Sequence, residues 1–261
     1  MKKYRNSIII CMTMILVLLL LVYKDYFKTL FTFRLDASDL AGIDAEGIKQ
    51  NVLHSHSNLQ FLLWNLGFFS SFVIPIAIVF IGYEYSSLKD KYLKLSIGKS
   101  GKYGHRLNRL KLMLASFLSF SYVILFGIVI LLTVINKNAA ISEYSFFGLA
   151  SEKSILAPFV NTAFGFVAIQ LILLYPAIFV NSIVMFYIID IVHDPLRSSL
   201  IFLGVIWLSS IVLYRFLPYW LVPMTTIMRF SYNDLALPTI LAPYVPYAIA
   251  VLCMRRIPKT I

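Results

Sequence analysis

Long uncharged stretches alternate with short charged segments along this chain. The uncharged stretches cover residues 7–23, 59–83, 112–136, 155–189, 198–214 and 235–254. Most of them are near the length of about 20 apolar residues that a helix needs to cross a bilayer. The pattern predicts an all-α, polytopic membrane protein with about six membrane-spanning helices, built as one domain over residues 1–261.

The composition supports this class. The chain is 60% hydrophobic and 13% charged, with a mean hydropathy of +0.83, whereas soluble domains are roughly half apolar and one-quarter charged. A soluble core of this size could not bury so much apolar surface. The two cysteines, Cys11 and Cys253, lie in apolar stretches near opposite ends of the chain, which argues against a disulfide framework or a thiolate metal cluster.

The basic residues predict the orientation. If the N-terminus is cytoplasmic, 15 of the 23 Lys and Arg residues fall on cytoplasmic segments, as the positive-inside rule requires. Both termini are then cytoplasmic, and the net charge of +11 lies on that face. Such a face suits anionic lipid headgroups and gives no reason to expect nucleic acid. We expect a multi-pass protein of the bacterial plasma membrane.

Two stretches do not fit simple spans. The stretch 155–189 holds 35 uncharged residues, about 50 Å as a helix, so we assign span four to residues 159–189 and expect a kink at Pro176. The apolar stretch 216–227 is short and contains Pro218 and Pro223, which predicts a re-entrant or interfacial element on the outer face before span six. Residues 24–58 form the first outer loop in this topology.

The apolar stretches contain no Asp, Glu, Lys, Arg or His near their middle, although ion-coupled transporters usually place such groups there. Four neutral amides, which could bond neighbouring helices or line a substrate path, are Asn65, Asn161, Gln170 and Asn181. His54 and His56 lack accompanying metal-site motifs and predict a solvated loop. The sequence offers no catalytic, metal-binding or nucleotide-binding motif, so we expect neither an enzyme nor a cofactor on this chain.

The longest predicted cytoplasmic loop, residues 84–111, carries eight of the basic residues. Its first half has an apolar stripe at helical spacing, formed by Tyr85, Leu88, Tyr92 and Leu95, and Gly98 is a plausible stop. This predicts an amphipathic helix after span two, beginning at Glu84. Such a helix could anchor the loop on the membrane surface or dock a cytoplasmic partner.

This arrangement resembles the permease subunits of type 2 ATP-binding-cassette (ABC) exporters. The matching residues are Gly82, Tyr83, Glu84 and Tyr85 at the predicted helix start, Lys89 within the helix, and Arg106, Arg109 and Lys111 before span three. The proline-broken element at 216–227 matches the re-entrant outer region of that family. The chain departs from the family pattern at Ser86, Ser87 and Leu88, where members often carry Gly-Thr.

The resemblance implies a function for the loop. In such exporters two permeases, either two copies or two sister chains, form the pathway, and separate ATPase subunits bind and hydrolyse ATP. The residues expected to contact the ATPase are Glu84, Tyr85, Leu88, Lys89 and Tyr92. The alternatives are a secondary transporter, a membrane-embedded enzyme or a non-transporting scaffold. The sequence does not specify a substrate.

Overall fold

The computed structural model describes residues 4–36, 44–93, 103–136, 163–218, 222–227 and 241–256. Within these ranges the regular structure is helical, and five helices are long and apolar enough to cross a membrane. The chain is therefore a multi-pass membrane protein by the length and composition of its helices.

We number the helices in chain order. They are α1 Arg5–Val22, α2 Lys24–Thr32, α3 Ala45–His56, α4 Leu59–Leu88, α5 Tyr103–Ile135, α6 Ala163–Val192, α7 Pro195–Leu213 and α8 Val245–Arg256. A π-helical turn, Lys89–Leu93, continues α4, and a second one, Gly204–Leu208, lies inside α7. Short 3₁₀ turns cover Pro223–Thr226 and Ala242–Tyr244.

Helix α1 packs along α4 through one stripe. Its buried residues recur every three or four positions and are Ser7, Cys11, Met14, Leu18 and Val22. The opposite face, which includes Met12 at 66% exposure, is apolar and open. A helix that buries one apolar stripe and exposes another is suited to a bilayer, where lipid covers the second stripe.

Helix α6 is the centre of the bundle. Its apolar window is 61% buried, against 28% for α1, and it packs against α4, α5, α7 and α8. The helix is continuous through Pro176. Because α6 contacts most of the other long helices, a polar group on α6 can link several of them.

A two-residue turn reverses the chain between α6 and α7. His193 has a φ of 58°, in the left-handed region that non-glycine residues rarely adopt. Asp194 then caps α7 by accepting hydrogen bonds from the backbone N–H groups of Leu196 and Arg197, and Pro195 occupies the first turn. The turn keeps the end of α6 and the start of α7 at the same end of the bundle.

Several helices extend beyond the predicted spans. Helix α4 continues five residues past the predicted end at Tyr83, and α5 begins nine residues before the predicted start at Leu112. Glu84 therefore lies inside α4, and the structure has no helix start there. The residues that follow Leu93 up to Gly98 lie outside the described ranges, so a separate amphipathic coupling helix stays a prediction.

Some of the predicted outer segments are also helical. The predicted outer loop 24–58 contains α2 and α3, so His54 and His56 lie on a helix rather than in a loop. In the described part of 216–227, the 3₁₀ turn Pro223–Thr226 is followed by the buried Ile227. The predicted sixth span is represented by α8, which has 12 residues and is shorter than the other spans. The re-entrant element, the sixth span and the cytoplasmic termini stay predictions.

Candidate functional site

A buried ion cluster joins three helices where α4 ends, α5 begins and α6 ends; we call this end of the bundle the basic end. Asp190 of α6 is at the centre of the cluster. Its Oδ1 accepts hydrogen bonds from the hydroxyl of Tyr85 and from Nζ of Lys89, each at 2.8 Å. Its Oδ2 lies 2.5 Å from Nζ of Lys111 on α5. We refer to Tyr85, Lys89, Lys111 and Asp190 as the ion cluster.

The ion cluster is shielded from solvent. The side chains of Lys111 and Asp190 are only 2% and 3% exposed, whereas that of Lys89 is 15% exposed. The ammonium of Lys111 also lies 3.7 Å from the ring centroid of Tyr187, close enough for a cation–π contact. Two lysines thus share one carboxylate, and the ring face of Tyr187 helps to stabilise the positive charge that the carboxylate does not balance.

A close approach of α4 and α6 positions the cluster. One turn before Tyr85, a Cβ on Gly82 would come within 2.9 Å of Cε of Met185 and 3.1 Å of Cδ1 of Ile189. The absence of a side chain at Gly82 lets the two helices pack closely there. The ring of Tyr85 then packs at a tilt against that of Phe186, with ring centroids 4.7 Å apart, and the Tyr85 hydroxyl donates its hydrogen bond to Asp190.

A second polar contact ties α1 to the same end. Asn6 donates a hydrogen bond of 3.1 Å from its Nδ2 to Oε2 of Glu84, which is 8% exposed. Because Glu84 directly precedes Tyr85 on α4, the ion cluster and this hydrogen bond are adjacent. Four of the five long helices, α1, α4, α5 and α6, are therefore linked by polar groups at the basic end.

The geometry of the ion cluster suits a structural link more than a catalytic step. Both oxygens of Asp190 contact lysine ammonium groups, so the carboxylate acts as a counter-ion. A buried ion pair gives little net stability, because desolvation offsets the attraction, but loss of one partner is costly. Such a cluster fixes how the three helices meet.

The residues expected to contact an ATPase are in part turned into the bundle. Tyr85 and Leu88 are 0% and 3% exposed, and Lys89 contacts Asp190. The side chain of Tyr92 lies outside what the structure describes. A direct contact between these residues and a partner stays a prediction, and in this structure Tyr85 and Leu88 pack within the chain itself.

The amides considered for a substrate path have internal partners where the structure describes them. Asn65 donates to the backbone oxygen of Val22 at 3.3 Å, which joins α4 to the end of α1. Asn181 donates to Ala177 and to Oγ1 of Thr226, at 2.8 and 3.2 Å. Asn161 and the side chain of Gln170 lie outside the described residues. A substrate path along these amides stays a prediction.

Asp190 is not among the site residues that the sequence predicts. It directly follows the predicted span 159–189, which places it in the loop after span four, yet it is 4% exposed. Two apolar residues, Ile191 and Val192, follow it, and Lys111 is likewise enclosed by Leu110 and Leu112. Apolar residues on both sides of a charge at the end of a span are the signal that could have indicated burial.

The comparisons with known proteins do not place the chain in a family. No protein-family model matches it, and no curated protein or solved structure matches it either.

Proposed function

We propose that the chain is the membrane-spanning permease subunit of an ABC exporter in the bacterial plasma membrane. It forms the substrate pathway together with a second permease, either another copy or a sister chain, while a separate cytoplasmic ATPase subunit hydrolyses ATP. The sequence pattern around Glu84 and the multi-pass helical structure support this proposal. The ion cluster at the basic end is the observation that carries it.

The position of the charges favours an external source of energy. Coupling to an ion gradient usually requires ionisable groups inside the bilayer, which are costly to place there. In this chain, the residues between His56 and Glu84 are uncharged, and so are the residues from Leu112 to Asn136. The Asp, Glu, Lys, Arg and His side chains of the described spans lie toward the helix ends. A partner that hydrolyses ATP would supply energy without a charge relay across the bilayer.

The ion cluster offers a route for that energy. The chain leaves α4 at Lys89 and enters the predicted cytoplasmic loop, where an ATPase would dock. A displacement of this loop pulls on Lys89 and Tyr85, which are bonded to Asp190 on α6. Asp190 in turn holds Lys111 on α5. Movement at one point would therefore be passed to three spans at once, as in a rigid-body rotation of packed helices.

The proposal is tested by purifying the tagged full-length chain from its native membranes in a mild detergent. We expect it to retain an ATPase that carries a phosphate-binding loop, in fixed stoichiometry, and the complex to hydrolyse ATP after reconstitution in lipid nanodiscs. A chain that purifies without such a partner, and whose proteoliposomes accumulate a solute when an ion gradient is imposed in the absence of ATP, would show a secondary transporter instead.

A further inference from the structure

An apolar groove lies between α1 and α4 on the side of the bundle that lipid would cover. Its volume is about 370 Å³. Ile9, Thr13 and Val17 line it from α1, and Val73, Ile76 and Phe80 line it from α4. Ile9, Ile76 and Phe80 are 53%, 42% and 55% exposed, so the groove is open along its length. In a bilayer, such a groove faces hydrocarbon.

The two helices are held together at both ends of this groove. Asn6 bonds to Glu84 at the basic end, and Asn65 bonds to the backbone oxygen of Val22 at the other. Between these contacts the buried stripe of α1 packs against α4 and α5, and Met14 of this stripe also lines the groove. The shape of the groove is therefore set by two packed helices that are hydrogen-bonded to each other at both ends.

A positive charge and a hydroxyl group lie at the mouth of the groove. Arg5 is exposed and precedes Ile9 by four residues, so it lies on the same side of α1, about 6 Å further along the axis. Tyr83 follows Phe80 by three residues on α4 and is 37% exposed. The groove thus has an apolar floor and a cationic, hydrogen-bonding mouth at the basic end.

We propose that this groove binds one anionic phospholipid of the bilayer. One acyl chain lies between α1 and α4, and the phosphate group accepts hydrogen bonds from Arg5 and Tyr83. The apolar lining matches the acyl chain, and the guanidinium group matches the phosphate in charge and in bidentate geometry. This site is independent of any transported substrate.

The headgroup contact is tested by native mass spectrometry of the full-length chain after delipidation. We titrate phosphatidylglycerol and, separately, zwitterionic phosphatidylethanolamine, and expect one phosphatidylglycerol to bind more tightly. Arg5→Gln should weaken phosphatidylglycerol binding about tenfold. Arg197→Gln is the matched control, because it also removes one positive charge at the basic end. Arg197 lies on α7, which packs against α4 and α6. This variant should leave phosphatidylglycerol binding unchanged. Equal losses in both variants would overturn the proposal.

The acyl-chain contact is tested by filling the groove. Thr13→Trp places a large side chain in the groove from an exposed position, whereas Met12→Trp places the same side chain at a neighbouring exposed position outside the groove. We expect only Thr13→Trp to abolish phosphatidylglycerol binding. If Thr13→Trp still binds phosphatidylglycerol, the groove does not hold an acyl chain. The same conclusion follows if glycerol phosphate, which has no acyl chains, displaces the bound lipid completely.

A second copy of the protein is the competing occupant. In a Cys253→Ser background, Thr13→Cys should not form disulfide-linked dimers in native membranes, because lipid fills the groove. Efficient cross-linking between copies at this position would show that a neighbouring helix occupies the groove, and it would overturn the lipid proposal. Neither result depends on an ATPase partner.

Discussion

Replacement of Asp190 by Asn should destabilise the chain more than any other single change in the ion cluster. The carboxylate is 3% exposed and contacts the ammonium groups of two lysines, one of which, Lys111, is 2% exposed. Asp190→Asn keeps the size of the side chain but leaves two cations without their counter-ion. Breaking a buried pair in this way costs about 3–5 kcal/mol of unfolding free energy.

The reverse change should cost less. In Lys111→Met, Asp190 keeps Lys89 and Tyr85 as partners, so the carboxylate remains paired. When Lys111→Met is added to Asp190→Asn, one of the stranded cations disappears. We therefore expect the double variant to be more stable than Asp190→Asn alone by about 1 kcal/mol or more, so that the effects of the two single changes do not add, as is usual for residues in contact.

The matched control is Asp194→Asn, the same chemical change four residues along the chain. Asp194 is 41% exposed, and its capping role at α7 is served about equally well by Asn. Its ion pair with Arg197 is exposed and contributes little. We expect this variant to lose less than about 1 kcal/mol.

The assay is unfolding by SDS in mixed micelles, followed by tryptophan fluorescence. The reasoning fails if Asp190→Asn is no less stable than Asp194→Asn, or if the effects of Asp190→Asn and Lys111→Met simply add. Either result would mean that Lys111 finds water or lipid phosphate instead of depending on Asp190.

Three further predictions concern coupling through Glu84, the close approach of α4 and α6, and the topology of the chain. Glu84→Gln should leave the abundance of the chain in the membrane near normal but lower the rate of ATP hydrolysis by the reconstituted complex. An unchanged rate of ATP hydrolysis would exclude coupling through Glu84. Gly82→Leu should cost about 1–3 kcal/mol of unfolding free energy, because the new side chain forces α4 and α6 apart. The control Gly127→Leu places the same side chain in open space and should cost little. Equal losses of unfolding free energy in the two variants would contradict the close approach of the helices. An impermeant thiol reagent should label Lys99→Cys only from the cytoplasm and Asp44→Cys only from outside, and the reverse pattern would invert the topology.

The sequence was sufficient to predict the class of the protein because hydrocarbon imposes a length and a composition on each span. It predicted the helix ends less well. Charge marks where a helix leaves hydrocarbon, not where its backbone hydrogen bonds stop, so α4 continues to Leu88 and α5 already begins at Tyr103. The stretch 24–58, which was expected to be a loop, likewise contains two helices.

The ion cluster could not be predicted from local pattern alone. Its members are separated by up to 105 residues along the chain, and their pairing depends on which helices pack together. The sequence singled out Tyr85, Lys89 and Lys111 for their place in the resemblance, but not their common partner. The local sequence could not single out Asp190, because it does not distinguish an acid at a span end that faces water from one that faces a buried lysine.

The most direct test of the account is photo-cross-linking at the chain exit of α4. A photoreactive amino acid at Lys91, which is exposed at the basic end, is compared in living cells with one at Arg34, which is exposed beyond the far end of α1. We predict a cross-linked product at Lys91 that contains an ATPase with a phosphate-binding loop, identified by mass spectrometry, and no such product at Arg34. No ATPase adduct at Lys91 in cells that express the chain at its native level would contradict the proposal that this end receives the force of ATP hydrolysis.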